Sequence, residues 1–507
     1  MQINERKYGV ILTYINIFLN TVVMLFFTPF VIRVLGQSEF GLYSLALSII
    51  NYLLILDFGF GNAVIVFTSK FLAKKEAEKQ KILYGTVFSV YLAMSFLAII
   101  IGLIFHSKIE YIFSNSMTLS EIETLKTLVL ILIFNVAVTL PCNIFTSILN
   151  AYEKFIFIRL ISILRTIITP FVLVTLLLLG YKSVTMILAI TLLNMLYFLV
   201  IIIYYKKHIK ISINIFKFKF SVLKIVASYS IFIFIEMVVY QLNWNSGQFI
   251  LALNLGTSEV SIYSIAVLIG STFMILSSAV SSVLLPKMSS MEAQNSSSEA
   301  FTEEMIKVGR LQAYIILLIL TGFILFGKEF IRVWAGKAYL DAYYLSIIIL
   351  IPLSIPLVQN LAISILQAKN LYYLRAGTTA IAALLNLIVA LILVRIYGYF
   401  GIAVSFSASI FICYGVLLNF IYKKRIDIDI AKFWKAICKL ALPLLLFFLL
   451  FFIFKICISN MINSFASFVL AIIYMLLFFM VSYRFSMNLY ERNIINTLNS
   501  KILRKLA

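Results

Sequence analysis

The sequence is poor in cysteine, in charge and in long polar loops, and each shortage rules something out. Its four cysteines, Cys142, Cys413, Cys438 and Cys457, all lie in apolar runs, with no CxxC pair and no neighbouring histidine. They read as small core residues, so neither a disulfide framework nor a metal site is expected. Charged residues make up only 12% of the chain against 63% hydrophobic, with a mean hydropathy of +1.08. A soluble protein has too little interior to hide that much apolar surface. The longest outward loops, around 106–121 and 328–341, reach only about fifteen residues, which leaves no room for a soluble domain.

What the sequence has in abundance is apolar runs of about twenty residues, the length that crosses a ~30 Å hydrocarbon core. Fourteen spans are expected, near 9–33, 41–67, 82–105, 122–148, 157–179, 184–205, 222–249, 260–285, 306–327, 342–366, 372–395, 399–421, 435–456 and 461–483. The first run is too long for the core of a signal peptide and no small-residue cleavage site follows it, so it is expected to be retained. The fold class is therefore an all-α polytopic membrane protein.

The net charge of +21 comes from 41 Lys and Arg against 20 Asp and Glu. With the N-terminus inside, all but nine of those bases fall in or beside inward-facing segments; the exceptions are Arg33, Lys108, Lys126, Lys182, Lys328, Arg332, Lys337, Arg395 and Lys455. Basic clusters such as Lys74-Lys75, Lys206-Lys207, Lys423-Lys424-Arg425 and Arg504-Lys505 mark the cytoplasmic face. The charge reports topology and contact with lipid headgroups, not a nucleic-acid partner.

The chain also repeats itself. Leu35-Gly36-Gln37-Ser38-Glu39-Phe40-Gly41-Leu42-Tyr43-Ser44 returns as Leu255-Gly256-Thr257-Ser258-Glu259-Val260-Ser261-Ile262-Tyr263-Ser264, and eight of fifteen positions from Leu35 to Ile49 are identical at that offset of 220. Ser147-Ile148-Leu149 and Ala151 recur as Ser364-Ile365-Leu366 and Ala368. Six spans separate the two turns, so the repeats are parallel, a construction used by secondary transporters. The expected organisation is a six-helix lobe at 1–215, a second at 216–430, and two further helices with a cytoplasmic tail at 431–507. Within the repeated turn, Gly36 is expected to end a helix, Ser38 to cap the next, and Glu39 to place a negative charge at its start. The inward segment 286–305, rich in Ser and Glu, is expected to be a flexible loop.

Ionisable groups deep in a bilayer cost several kcal/mol, roughly 2.5–3.5 on insertion scales, and so call for a reason. Among the acids, Asp57 and Glu236 lie well inside spans. Tyr229, Glu236, Tyr240, Asn243 and Gly247 fall on one helical face, and the offset of 220 lands Glu236 on Asn16 and Tyr240 on Asn20. With Thr13, these make matching polar stripes. They line a hydrated cavity between the halves or simply hydrogen-bond helix to helix. Arg165 is the deepest base, fit to bind an anion or to snorkel inward. Arg33 is an outer anion contact or an interfacial anchor; Trp244 stacks on a sugar or belongs to the aromatic belt. Asp57, followed by Phe58-Gly59-Phe60-Gly61-Asn62, can pair with an arginine such as Arg165, relay protons, or do both in turn. Its glycines allow a bend or a close helix approach.

The run containing Asn16, Asn20, Thr28-Pro29, the Leu35–Tyr43 turn and Leu56-Asp57-Phe58-Gly59-Phe60-Gly61-Asn62-Ala63 resembles bacterial O-antigen and capsular polysaccharide repeat-unit flippases. These belong to the multidrug/oligosaccharidyl-lipid/polysaccharide exporter superfamily. The resemblance is motif-specific over roughly residues 8–75 and architectural beyond. It implies a transporter without catalytic residues, cofactor or metal, in the bacterial cytoplasmic membrane with both termini inside. Its implied substrate is an undecaprenyl-diphosphate-linked oligosaccharide, handed outward for O-antigen or capsule assembly by polymerase and chain-length machinery. The substrate contacts it implies are Arg165 and Arg33 on diphosphate or acidic sugars, and Asn16, Asn20, Tyr240, Asn243 and Trp244 on glycan, with Asp57 or Glu236 coupling protons. The nearest rival is a proton- or cation-coupled multidrug exporter of the same superfamily, for which Asp57 and Glu236 supply the acids. A polymerase or lipid-sugar glycosyltransferase is disfavoured, since such enzymes usually carry their catalytic residues on a sizeable outer loop.

Overall fold

In hydrocarbon every backbone N–H and C=O has to be paired internally, which only helices and closed barrels achieve. The apolar runs here are continuous rather than alternating, and they fold as helices. The computed structural model describes residues 5–209, 211–214, 217–281, 284–458 and 464–493, and among them there is no β-strand. Among the described residues, twelve helical stretches are long and apolar enough to cross a membrane. Two of these, Lys7–Ala73 and Tyr372–Arg425, each hold two of the fourteen expected spans and are interrupted at left-handed Gly36 (φ 77°) and Gly398 (φ 57°). The tail carrying Arg504-Lys505 lies outside the described residues.

Contacts divide the chain into two units, Met1–Ser264 and Ile265–Ala507. In the first, α1 (Glu5–Leu53) gives way to a 3₁₀ turn at Leu54–Asp57, then to Phe58 and Gly59 in left-handed conformation, and resumes as α2 (Phe60–Ala73). The break follows from Gly59, whose φ of 70° and lack of room for a Cβ (Ile233 Cγ2 would lie 2.5 Å away) suit no other residue. The helices α3 (Ala77–Phe113), α4 (Leu119–Ala151), α5 (Phe155–Leu178) and α6 (Ser183–His208) complete a bundle around α1 and α2. Its core holds fully buried Tyr84, Tyr91 and Phe113, while Phe18, Phe26 and Phe171 point outward as lipid-facing residues do. The next helices, α7 (Phe220–Trp244) and α8 (Ser246–Asn254), pack within this unit, as does the start of α9 (Thr257–Ser281).

The two copies of the repeated turn meet on one carboxylate. Glu121, in the first turn of α4, accepts from Ser38 Oγ (2.5 Å) and Thr257 Oγ1 (2.6 Å), while its other oxygen closes a capping box with Thr118. Ser38 thus serves α4 rather than capping its own helix. Glu39 likewise accepts from the backbone N–H and hydroxyl of Ser183, placing its charge at the N-terminus of α6. The expectation that Ser38 caps its own helix is corrected by a partner distant in sequence, whereas Glu39, three residues past the Gly36 break, stands at the start of its own helix and serves α6 as well.

In the second unit, α10 (Leu285–Ala293) and α11 (Ser298–Trp334) occupy most of the segment expected to be a flexible loop. The reason is capping: Ser297 Oγ accepts from the Ala300 N–H, and Glu299 sits in the first turn. The remaining helices are α12 (Asp341–Val358), α13 (Leu361–Ala368), α14 (Tyr372–Ile410), α15 (Leu418–Arg425), α16 (Ile430–Ile458) and α17 (Ser464–Val481); the last two pack on α11. Beneath them Arg310 and Glu491, 8% and 3% exposed, form an ion pair with Nε–Oε1 at 2.6 Å.

The duplication shows in the backbone as well. Left-handed residues recur as Gly36 and Gly256, Lys75 and Asn295, Glu153 and Asn370, and Gly180 and Gly398. Each pair is separated by 217 to 220 residues, the offsets of the sequence repeats.

Candidate functional site

Arg165 is the eleventh of 24 residues in α5, on an accessible face about midway along the helix. It makes no ion pair among the described residues. Its Nη1 donates to Asn194 Oδ1 on α6 at 3.0 Å, and the guanidinium lies over the Tyr197 ring, 5.3 Å from the centroid. Asn194 is itself held from behind: its Nδ2 donates to Thr139 Oγ1 (2.8 Å) and Asn135 Oδ1 (3.3 Å) on α4. Asn135 in turn donates to Thr191 Oγ1 at 3.0 Å and accepts from Thr139 at 3.2 Å. An intramembrane cation therefore rests on neutral amides, hydroxyls and a ring.

The residue after Arg165 ties the site to α1. Thr166 Oγ1 donates to Asn16 Oδ1 at 3.2 Å, and Asn20 donates to Asn16 at its carbonyl (2.9 Å) and side-chain oxygen (3.1 Å). Thr13 bonds back to the Gly9 carbonyl of its own helix. The polar stripe on α1 thus meets α5 one residue from Arg165.

Asp57 sits at the α1–α2 break. Tyr91 Oη donates to its Oδ1 at 2.9 Å and Asn143 Nδ2 approaches the same oxygen at 3.5 Å. Asp57 makes no ion pair among the described residues; a hydroxyl and an amide stand in this structure where an arginine was expected. The break packs on α7, where Phe58 stacks on Phe234 with centroids 4.3 Å apart and Ser230 Oγ donates to the Gly59 carbonyl. Asn135, Thr139 and Asn143 recur every four residues, so one face of α4 spans from the Arg165 network to Asp57, roughly 12 Å at ~1.5 Å per residue.

On α7, Tyr229, Glu236 and Tyr240 are exposed whereas Asn243 is buried. The single face expected for them is interrupted, because α7 ends at Trp244 and buried Gly247 belongs to α8. Trp244 lies 6.4 Å from Tyr240, ring to ring. Arg33 is exposed one turn before Gly36. The structure thus brings Asn16, Asn20 and Arg165 together and places Asp57 at the far end of the α4 stripe. Sequence reasoning missed Tyr91, Asn135, Thr139, Asn143 and Asn194. The spacing of Asn135, Thr139 and Asn143 in the fourth span was the signal available.

The geometry has counterparts in solved structures. A lipid II flippase MurJ in an inward closed conformation aligns with a TM-score of 0.70 at 19% identity, over 94% of this chain and 99% of that one. An inward-facing multidrug resistance MATE transporter of the MOP superfamily aligns at 0.57 and 15%, over 78% and 97%. The Vibrio cholerae MATE transporter VcmN, in its bent form, gives 0.54 and 11%, over 83% and 97%. At these identities the likeness concerns the fold. No curated protein matches the sequence. The family model described as "Polysaccharide biosynthesis protein" matches residues 30–344, more than half of the chain. The chain is therefore a multi-pass membrane protein of the polysaccharide biosynthesis protein family, built on the fold it shares with those transporters.

Proposed function

We propose that this protein flips an undecaprenyl-diphosphate-linked oligosaccharide repeat unit from the inner to the outer leaflet of the bacterial cytoplasmic membrane, with both termini inside, for O-antigen or capsule synthesis. The observation that carries the reading is Arg165, a cation midway along a membrane helix whose partners among the described residues are Asn194 and Tyr197 and include no acid. A charge in hydrocarbon needs a counter-charge. A lipid-linked diphosphate provides one, and guanidinium binds phosphate through paired N–H bonds. Asn16 and Asn20, joined to the same site through Thr166, offer amides to sugar hydroxyls. Tyr240, Asn243 and Trp244 extend the glycan contacts, Arg33 meets the anion near the outer end, and Asp57 or Glu236 couples protons. The two repeats alternate access to either side while the lipid tail stays in the bilayer.

A bacterial strain lacking the gene and complemented with Arg165→Gln tests this reading against multidrug export. It is expected to lose surface polysaccharide and accumulate lipid-linked oligosaccharide, with drug sensitivity equal to that of the complemented wild type. Intact surface polysaccharide together with new drug sensitivity would make the protein a drug exporter.

A further inference from the structure

Arg165 can serve an external anion only while nothing within the protein neutralises it, and its orientation has to be held by groups carrying no charge. The structure meets both conditions through one side chain. Asn194 has three polar contacts, and each constrains the next. Its Nδ2 is taken by Thr139 Oγ1 at 2.8 Å and Asn135 Oδ1 at 3.3 Å. Asn135 is fixed by Thr191 at 3.0 Å. This leaves the Asn194 Oδ1 turned to Arg165 Nη1 at 3.0 Å. Reversing the amide would set an NH₂ group against the guanidinium, donor facing donor, so hydrogen-bond chemistry selects the observed orientation.

The Arg165 guanidinium carries five N–H donors and donates to no other acceptor among the described residues. With Nη1 tethered and the ring of Tyr197 beneath the guanidinium, the Nε–Nη2 edge keeps the paired geometry that matches two oxygens of a phosphate. An aspartate at position 194 would have nearly the same shape but would pair with Arg165 and cancel its charge.

We propose that Asn194, backed by Asn135 and Thr139, is a positioning residue that aims the Arg165 guanidinium at a prenyl-linked diphosphate while leaving its charge unspent. The proposal rests on Arg165 being the anion contact, and the test separates the two. The full chain in detergent is titrated with farnesyl diphosphate and, in parallel, with the uncharged alcohol farnesol. Asn194→Asp is expected to weaken diphosphate binding about tenfold or more and to leave farnesol binding unchanged, an asymmetry that loss of packing would not produce. In the Arg165→Gln background the same change is expected to have no further effect. Thr139→Val, which removes the acceptor for Asn194 Nδ2 at constant shape, is expected to weaken diphosphate binding by about threefold; it supplies the test if Asn194→Asp does not fold.

If Arg165→Gln binds diphosphate like wild type, the anion reading of Arg165 fails. If Arg165→Gln loses binding while Asn194→Asp and Thr139→Val keep it, the role of Asn194 alone is overturned. Displacement of farnesyl diphosphate by an equal concentration of short-chain phosphatidylglycerol would make the ligand an ordinary bilayer phosphate and overturn the diphosphate assignment.

Discussion

Two arginines within apolar helices, Arg310 and Arg165, meet opposite electrostatic solutions. Arg310 is closed off: Nε and Nη2 grip Glu491 at 2.6 and 2.9 Å, Nη2 also donates to the Ser486 carbonyl, Nη1 donates to the Ala436 carbonyl, and Tyr314 donates to Glu491 at 3.0 Å. Every strong acceptor around it is supplied by the chain, which marks a structural role in fastening the segment after α17 to α11. Arg165 has no such enclosure. Truncating one side of a buried ion pair leaves the other charge stranded, at a cost of about 3–5 kcal/mol. Arg310→Met should therefore lower the thermal midpoint in detergent by several degrees, and adding Glu491→Leu should restore most of the loss. A double variant no more stable than the single one would contradict this account of the pair. Nothing in the sequence flagged it, because its partners are 181 residues apart and Glu491 lies beyond the last apolar run.

At the scale of elements, the breaks carry the information. The α1 kink at Gly36, the left-handed Phe58-Gly59 step and the Asn245 junction between α7 and α8 set where side chains meet. Two glycines of the first repeated turn make the point in contrast. Gly36 has φ 77° but open space around it, whereas a Cβ on Gly41 would lie 1.9 Å from the carbonyl oxygen of Thr257. Gly36→Ala should cost about 1 kcal/mol of backbone strain, and Gly41→Ala should be far worse because backbone has to move. Thermal unfolding and monodispersity in detergent check the ranking, and a more damaging Gly36→Ala would contradict it. The glycines and the polar stripe of α1 were legible because small or polar residues stand out in apolar runs. The use of Glu39 by α6 and of Ser38 by Glu121 was not, since capping propensity speaks only for a residue's own helix. The segment 286–305 misled for a related reason: Ser and Glu suit a loop and a helix start equally well.

At the scale of the whole molecule, the repeat offset of about 220 residues was legible in one ten-residue turn and is written again in four pairs of left-handed backbone positions. The helical class, the fourteen crossings and the family were legible for the same reason: they rest on periodicity, length and motif. Which helices present their polar residues to one another was not, because Asn135 and Asn194 carry no mark distinguishing glue from site until α4, α5 and α6 are assembled. That assembly turns Arg165 from one lone base among several into the centre of a neutral scaffold, and the central claim rests on it. The most direct measurement is the transbilayer movement of a fluorescent undecaprenyl-diphosphate-linked oligosaccharide in proteoliposomes, read by an impermeant quencher, for wild type and Arg165→Gln side by side. The account predicts movement with wild type and at least a tenfold slower rate with Arg165→Gln. Equal rates, or no movement with wild type above protein-free vesicles, would contradict it.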